Sequence, residues 1–399
     1  MIEHIAGVEC CQNNGFNGND VLAEEMRLCN TAQYIVEANG RFHRDIDWTS
    51  EPDDEEFERE NTYLLSGLAD RTDGLEGDCT TYPERHGLKG GDMSPNEYDG
   101  FGKGDLVFYP HCLEIYKRAA ALRLGSAELT NVPAFADWWN SDGRVNSPPC
   151  HPSVSGCGGQ WFEHSSGCEF IAANPLQIPA LTAIFEAARR PDDLDAMKLS
   201  PFGEKETNGT NVNSDIFGKL PNELRDMVLS SLGSKDIANL RIASRTFRHL
   251  SITLWRELIE KEMPWVWEVW TERPYPFIPC TTRPELEAHD KAAKDRIQAA
   301  QGLGDEKKSE EMELIAREES RFRESRAVHQ LSRLSTDWHY LHCRLARDWK
   351  NTKGLQNRER IWKTIEFIVR RIAQPDEDPN SATEAHEKAF PFREPCSGA

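Results

Sequence analysis

The chain has 399 residues, enough for two or three domains, and its formal net charge of −20 argues against nucleic-acid binding, which needs a clustered basic surface. No run approaches the roughly 20 consecutive apolar residues of a membrane helix, and the first residues lack the basic and apolar parts of a signal peptide. The eleven cysteines include no Cys-x-x-Cys pair, which favours free thiols in a reducing compartment, so we expect a protein of the cytoplasm, the nucleus or both, with no membrane partner.

Residues 1–195 contain short apolar pieces separated by Gly, Asn, Asp and Pro. Leu106–Tyr109 has the pattern of a short buried strand, and Pro110 suits the first position of a helix, where its missing N–H costs nothing. A second helix is predicted from Pro179, with apolar residues at helical spacing. We therefore predict a small α+β region with long loops over these residues, followed by a linker at 196–213.

Two groups of side chains have the chemistry of metal ligands. The first group lies in the N-terminal region, and its gaps match no tight two-residue zinc knuckle: Cys150, Cys157, His164 and Cys168. The second group, His339, His342 and Cys343, has the i, i+3, i+4 spacing of one helix face, but His342 falls on an apolar stripe, so packing explains it. Cys112 next to His111 lacks a third group that would orient the pair for thiol catalysis. The sequence therefore assigns no metal and no other cofactor.

Residues 214–262 contain three short segments with helical spacing of apolar residues. Leu220 and Pro221 open the first segment, Gly233 ends it, and Ser234 can cap the next. The apolar positions are Leu224, Met227, Val228 and Leu232 in the first helix, Ile237, Leu240 and Ala243 in the second, and Leu254, Trp255 and Leu258 in the last. Helices of about ten residues are not stable alone in water, so these must pack on one another, and their remaining apolar surface predicts a partner.

The same residues, in the same order, resemble an F-box. Its paired positions are carried by Leu220–Pro221, Glu223–Leu224, Val228–Leu229, Asp236–Ile237 and Leu254–Trp255. Ser244 stands where many members have Cys, and Phe247 where many have Trp. The resemblance implies docking onto a small Skp-type adaptor, which holds a cullin scaffold and a RING subunit. By the same resemblance, the adaptor-binding residues would be Leu220, Pro221, Glu223, Leu224, Val228, Leu229, Ile237, Leu240, Phe247, Leu254 and Trp255.

Residues 263–374 are predicted to be mainly helical. The segment begins with Trp265, Trp267 and Trp270, for which buried packing is a better explanation than a recognition groove. The stretch from Pro284 to Arg326 is charge-laced and helix-favouring, and it is broken at Gly302-Leu303-Gly304, which predicts a helical hairpin.

Two further helices are predicted at 327–350 and 357–372. Their apolar stripes favour packing as an antiparallel pair, and the tail at 375–399 is expected to be disordered. Two phrases of the chain, at 234–240 and 354–362, are similar to a large group of F-box proteins from filamentous fungi.

The sequence thus predicts a mainly α fold with an α+β N-terminal region, a central F-box and a helical C-terminal region. The resemblance implies a non-catalytic substrate receptor of an SCF (Skp-cullin-F-box) ubiquitin ligase, which presents an unknown protein for ubiquitination. The alternative is a metal-binding or thiol enzyme in the N-terminal region, whose F-box serves its own turnover. The alternative predicts stoichiometric zinc in the purified chain, and a metal analysis that finds none would remove its main support.

Overall fold

The structure, a computed structural model, describes fifteen stretches of the chain. They are residues 21–22, 24–27, 31, 33–38, 42–44, 54–59, 63–68, 85, 88–90, 106–125, 169–189, 215–247, 250–302, 304–323 and 331–374. Over these residues the chain is mainly α-helical, which confirms the predicted fold class. The predicted linker, the predicted disordered tail and the four N-terminal metal candidates, Cys150, Cys157, His164 and Cys168, lie outside the described residues.

Ten helices and five strands are named here in chain order. The strands are β1 (Gln33–Glu37), β2 (Phe42–Arg44), β3 (Tyr63–Leu65), β4 (Leu88–Gly90) and β5 (Leu106–Phe108). The helices are α1 (Glu56–Arg59), α2 (Pro110–Leu124), α3 (Pro179–Ala187), α4 (Asn222–Ser231), α5 (Ser234–Ala243), α6 (Ile252–Glu262), α7 (Arg283–Ala300), α8 (Asp305–Phe322), α9 (Trp338–Asp348) and α10 (Lys353–Ala373). No helix among the described residues is both long enough and apolar enough to span a membrane.

The chain divides into two compact units that are discontinuous in sequence. The first unit contains residues 1–178, 274–327 and 353–399, and the second contains residues 179–273 and 328–352. Both units therefore combine segments from before and after residue 273. The domain boundaries expected from sequence order stay a prediction.

The first unit contains the predicted strand and helix around residue 108. β5 pairs with β1, and β1 pairs with β3, so the order β3-β1-β5 forms an antiparallel sheet. β2 and β4 form a second, two-stranded antiparallel pair. Pro110 begins α2 as predicted, and Gly125 ends it with a left-handed φ of 71°, which a glycine adopts without steric cost.

α10 is the longest helix among the described residues of the first unit, and it packs on α2 and on the 3₁₀ turn Glu169–Ala172. Its Arg358 is buried and donates hydrogen bonds to Pro175 O (2.5 Å) and Leu176 O (3.1 Å). Near its start, α10 approaches the backbone so closely that a Cβ on Gly354 would lie 2.5 Å from Asn174 O. A glycine is therefore required at this helix-to-backbone contact.

The predicted helical hairpin is confirmed as α7 and α8, which pack on each other. α7 begins with a capping box, in which Thr282 accepts from Glu285 N and the Glu285 side chain accepts from Thr282 N. Across the hairpin, Arg296 donates to Glu311 (Nη2–Oε1 2.6 Å) and also pairs with Glu318. The hairpin thus depends on polar contacts along its length, because few of its side chains are buried.

The second unit contains α3, α4, α5, α6, the tryptophan segment and α9. α6 packs on α9 and on the 3₁₀ turn Trp267–Val269. Trp265 and Trp267 are buried, and the half-buried Trp270 donates from Nε1 to Pro264 O (2.8 Å). The tryptophans therefore attach this segment to the core, as predicted from the sequence.

The two C-terminal helices differ in part from expectation. The first begins at Trp338 and not at residue 327, because Asp337 caps it by accepting a hydrogen bond from Tyr340 N (3.0 Å) and residues 331–337 are not helical. The second helix contains its predicted residues but begins four residues earlier, at Lys353. The two helices belong to different units, and each packs mainly on another partner, α9 on α6 and α10 on α2. The predicted antiparallel packing of these two helices on each other was therefore wrong.

Candidate protein-interaction site

The segment that opens at Asp215 is tied to the junction that follows α5. Asp215 Oδ1 accepts a hydrogen bond from Phe217 N (3.1 Å), and Oδ2 accepts from Ser244 Oγ (2.6 Å), Thr246 Oγ1 (2.8 Å) and Thr246 N (3.1 Å). The hydrogen bonds from Ser244 and Thr246 lower the pKa of Asp215 to about 2. The carboxylate is therefore ionised at neutral pH and joins the start of the helical triplet to the junction between α5 and α6.

The backbone before α4 is held by hydrogen bonds from one arginine side chain. Pro221 takes the N-cap place with φ −53°, and Arg225, one turn later, donates from Nε to Leu220 O (2.9 Å) and from Nη2 to Gly218 O (3.2 Å). These hydrogen bonds fix the backbone at Leu220 and Pro221. Pro221 is exposed and Leu220 is half-buried.

The apolar residues of α4 divide between core and surface. Leu229 is buried, whereas Leu224 is 45% exposed and Met227 is 66% exposed. The predicted stripe of Leu224, Met227, Val228 and Leu232 is therefore only partly a core face, since Val228 and Leu232 are half-buried. The exposed part of the stripe agrees with the expectation of unburied apolar surface.

The core of the triplet consists of the buried members of the predicted site. Ile237 and Phe247 are fully or almost fully buried, as are Leu254 and Trp255 on α6. Phe247 packs edge-on against Phe217, with ring centroids 5.3 Å apart, so the Phe at this position fills the place where many F-box proteins have Trp.

The predicted adaptor-binding residues thus fall into two groups. The accessible or half-buried group, which a partner can touch, is Leu220, Pro221, Glu223, Leu224, Val228 and Leu240. The buried group, which holds the helices in place, is Leu229, Ile237, Phe247, Leu254 and Trp255. The assignment of all eleven residues to an adaptor interface stays a prediction, but only the first group is available for direct contact.

The sequence analysis missed two exposed isoleucines. Ile216 and Ile242 are among the most exposed large apolar residues of the structure, with Ile242 86% exposed. Asp215 is adjacent to Ile216 and binds Ser244, two residues after Ile242, so the same carboxylate links their two segments. The available signal was that Ile242 lies outside the helical spacing of Ile237 and Leu240.

The end of α6 is anchored through Glu262. Its Oε1 accepts a hydrogen bond from Ser234 N at the start of α5 (2.6 Å), and its Oε2 lies 3.9 Å from His342 Nε2 on α9. Burial raises the pKa of Glu262, but the interactions with His342 and Ser234 outweigh it and lower the pKa to about 2. One ionised carboxylate therefore connects α5, α6 and α9.

α9 covers the side of the triplet that carries Trp255. The Trp255 ring centroid is 4.5 Å from that of His339 and 5.3 Å from that of His342. The guanidinium carbon of Arg241, on α5, lies 5.8 Å from the Trp255 centroid. The helical triplet is thus built into the second unit on this side.

The histidine and cysteine side chains of α9 do not have the electrostatics of a catalytic thiol. Cys343 Sγ lies 3.7 Å from His339 Nε2. Burial raises the pKa of the Cys343 thiol, while burial and the charge of Arg241 lower the pKa of His339. Both shifts oppose the thiolate–imidazolium pair that such chemistry needs. His342 is turned to Glu262, so packing and one ion pair account for it.

His111, which precedes Cys112, is also accounted for by packing. His111 is buried in the first unit and stacks on Tyr109, with ring centroids 5.3 Å apart. Burial and the charge of Arg360 lower the pKa of His111 to about 3. The imidazole is therefore a neutral packing group at physiological pH.

Comparison with known proteins agrees with the geometry of the helical triplet. Residues 217–258 match the family model of the F-box domain. No curated protein and no solved structure is significantly similar to the chain. F-box domains in general bind Skp-type adaptors and serve as non-catalytic receptor parts of ubiquitin ligases. With its order of motifs, its three short helices and this match, the chain is an F-box domain protein.

Proposed function

We propose that this protein is the substrate-receptor subunit of an SCF ubiquitin ligase. Its F-box binds a Skp-type adaptor, and through the adaptor a cullin and a RING subunit. The observation that carries the proposal is that large apolar side chains of the F-box, Leu224, Met227 and Ile242, remain exposed although the core of the same domain is filled. The protein works in the cytoplasm or the nucleus, where such ligases meet their targets.

Burial of the exposed apolar residues by a partner would contribute favourable free energy to binding. Full burial of one Leu, Ile or Met side chain is worth about 1.5–3 kcal/mol. These three are between 45% and 86% exposed, so a partner that covers them gains roughly half to most of that amount from each. Since about 1.4 kcal/mol changes a dissociation constant tenfold, this surface can decide whether the adaptor binds.

The proposed role of the chain in ubiquitination is to position the target protein. A receptor raises the local concentration of its target beside a transferred ubiquitin, and it forms no bond itself. Trp265 and Trp267 are buried, so their rings are not available to a target. Recognition of the unknown protein substrate is therefore assigned to residues before the F-box and to the helices that follow it.

The test is copurification of the tagged full-length protein from a fungal lysate, with the bound chains identified by mass spectrometry. The variant is Leu224→Ala with Met227→Ala. The matched control is Met312→Ala with Leu314→Ala, which removes the same two side-chain types from the α7–α8 hairpin, where they are 40% and 44% exposed. We expect adaptor, cullin and RING subunit with the wild type and the control, and their loss or strong reduction with the F-box variant.

Binding of the adaptor can also be measured directly. Titration of purified adaptor into the purified protein should show an affinity reduced about tenfold or more by the F-box variant, with unchanged helicity by circular dichroism. Equal adaptor binding by the wild type and the F-box variant would refute the assigned surface. Absence of adaptor, cullin and RING subunit from the wild-type material would refute the receptor function.

A further inference from the structure

The α7–α8 hairpin carries three possible metal ligands that adaptor binding does not use. His289 and Asp290 lie on α7 and Glu319 lies on α8, and one ligand atom from each lies within 4.8 Å of the other two. The three side chains are partly exposed, although the Nδ1 atom of His289 is itself buried. Among the described residues, this is the one group of His, Cys, Asp and Glu side chains with such geometry.

The separation of His289 and Glu319 suits a bridging ion better than a hydrogen bond. Nδ1 of His289 is 3.5 Å from Oε1 of Glu319, beyond the usual range of about 2.7–3.2 Å for a hydrogen bond from nitrogen to oxygen. Two ligands that each lie about 2.1 Å from a tetrahedral zinc ion are about 3.4 Å from each other. The Nδ1 atom is buried and has no hydrogen-bond partner, so an ion would satisfy it.

Neighbouring side chains orient both ligands. The ring of Phe322 stacks on His289 with centroids 3.7 Å apart and planes within 5°, which restricts rotation of the imidazole. Arg323 Nε lies 3.4 Å from Oε2 of Glu319, so the other oxygen of that carboxylate is left facing the imidazole. Outer contacts that fix ligand orientation are a regular part of metal sites.

Asp290 is the third ligand and needs a small adjustment. Its Oδ1 is 3.9 Å from His289 Nδ1, about 0.5 Å longer than tetrahedral geometry requires. Arg323 Nη2 is also 3.9 Å from Oδ1 of Asp290, and its positive charge lowers the affinity for a cation. The two carboxylates nevertheless leave the group with net negative charge when the imidazole is neutral.

We propose that His289, Asp290 and Glu319 bind a divalent transition-metal ion of the zinc class, with water as the fourth ligand. One imidazole nitrogen and two carboxylate oxygens are a ligand set that suits zinc and cobalt. Because the ligands come from both helices, the ion joins α7 to α8 and stabilises the hairpin in proportion to its binding free energy.

The test is titration of the full-length protein with Co²⁺, whose visible spectrum distinguishes nitrogen and oxygen ligands from thiolates. His289→Phe removes Nδ1 and keeps an aromatic ring beside Phe322. Glu319→Gln removes one ligand charge, and Glu318→Gln is its matched control, since Glu318 pairs with Arg296 and lies outside the group. Circular dichroism checks that each variant keeps its helices.

We expect the wild type and Glu318→Gln to bind one Co²⁺ ion with no thiolate charge-transfer band. The His289→Phe variant should lose this ion, and Glu319→Gln should bind it at least about tenfold more weakly. Equal binding by Glu319→Gln and Glu318→Gln would overturn the proposal even if His289→Phe fails to fold. A wild type that binds cobalt only through thiolate, or not at all, would overturn it too.

Discussion

Two isoleucines on the same ten-residue helix allow the division of the F-box into core and surface to be tested directly. Ile237 and Ile242 both lie on α5, but Ile237 is 0% exposed and Ile242 is 86% exposed. The substitutions Ile237→Ala and Ile242→Ala remove the same atoms and change helix propensity by the same amount. Any difference between the two variants therefore comes from tertiary packing or from binding.

The structure predicts opposite effects. Loss of a buried Ile side chain costs about 2–5 kcal/mol of the free energy of unfolding, through the lost transfer free energy and the cavity left behind. A substitution at an exposed position usually stays within about 0.5 kcal/mol. We expect Ile237→Ala to destabilise the second unit by the larger amount, and Ile242→Ala to leave stability unchanged but to weaken adaptor binding about tenfold.

Urea unfolding followed by tryptophan fluorescence measures the first effect, because Trp255, Trp265 and Trp267 report on the core of the second unit. Isothermal titration of the folded variants with adaptor measures the second effect. Equal destabilisation by the two substitutions would refute the division of α5 into core and surface. A stable Ile242→Ala variant with undiminished adaptor affinity would remove Ile242 from the proposed interface.

Two further predictions concern a close contact and a carboxylate. Gly354→Ala should destabilise the first unit by about 1–3 kcal/mol, because the new Cβ would lie 2.5 Å from Asn174 O. The control in thermal unfolding is Gly302→Ala, whose Cβ would lie 3.7 Å from its nearest atom. Equal melting temperatures of the two variants would contradict the close contact at Gly354. Asp215 has a pKa lowered from 3.8 to about 2, so it contributes stability that is present above pH 3.8 and is lost as the pH falls towards 2. Asp215→Asn should lower stability at neutral pH and flatten this acid dependence, and an unchanged pH profile of unfolding would contradict the role of Asp215.

Local patterns predicted most of the helices. Gly302 and Gly304 lie between α7 and α8, and Pro110 begins α2, as expected from turn and cap chemistry. These features depend on a few consecutive residues, so they can be recognised without the rest of the chain. The predicted cap of α5 was wrong, because Gly233 takes the N-cap place and Ser234 is already the first residue of the helix. The predicted start of α9 failed for a related reason, since the cap at Asp337 outweighed an apolar pattern that continued before it.

The exposure of individual side chains was less predictable. On α4 the apolar spacing put Leu224 and Met227 on one stripe, without indicating which part of the stripe is buried. In the structure both are exposed, and Leu229, which lies outside that stripe, is the buried residue. Successive residues of a helix differ by about 100° in direction, so a small rotation of the helix moves a side chain from core to surface. The rotation is set by packing on neighbouring elements, which the spacing on one helix does not contain.

The sequence by itself determined that this is a mainly helical chain with an F-box, because the motif's residues are contiguous and their order and spacing carry the information. Only the tertiary structure decided which F-box residues are accessible, that Asp215 and Glu262 connect distant segments, and that α9 packs on α6 and α10 on α2. It also brought His289 of α7 to Glu319 of α8. These contacts join residues far apart in the chain, and their formation depends on burial and charge in three dimensions rather than on local pattern.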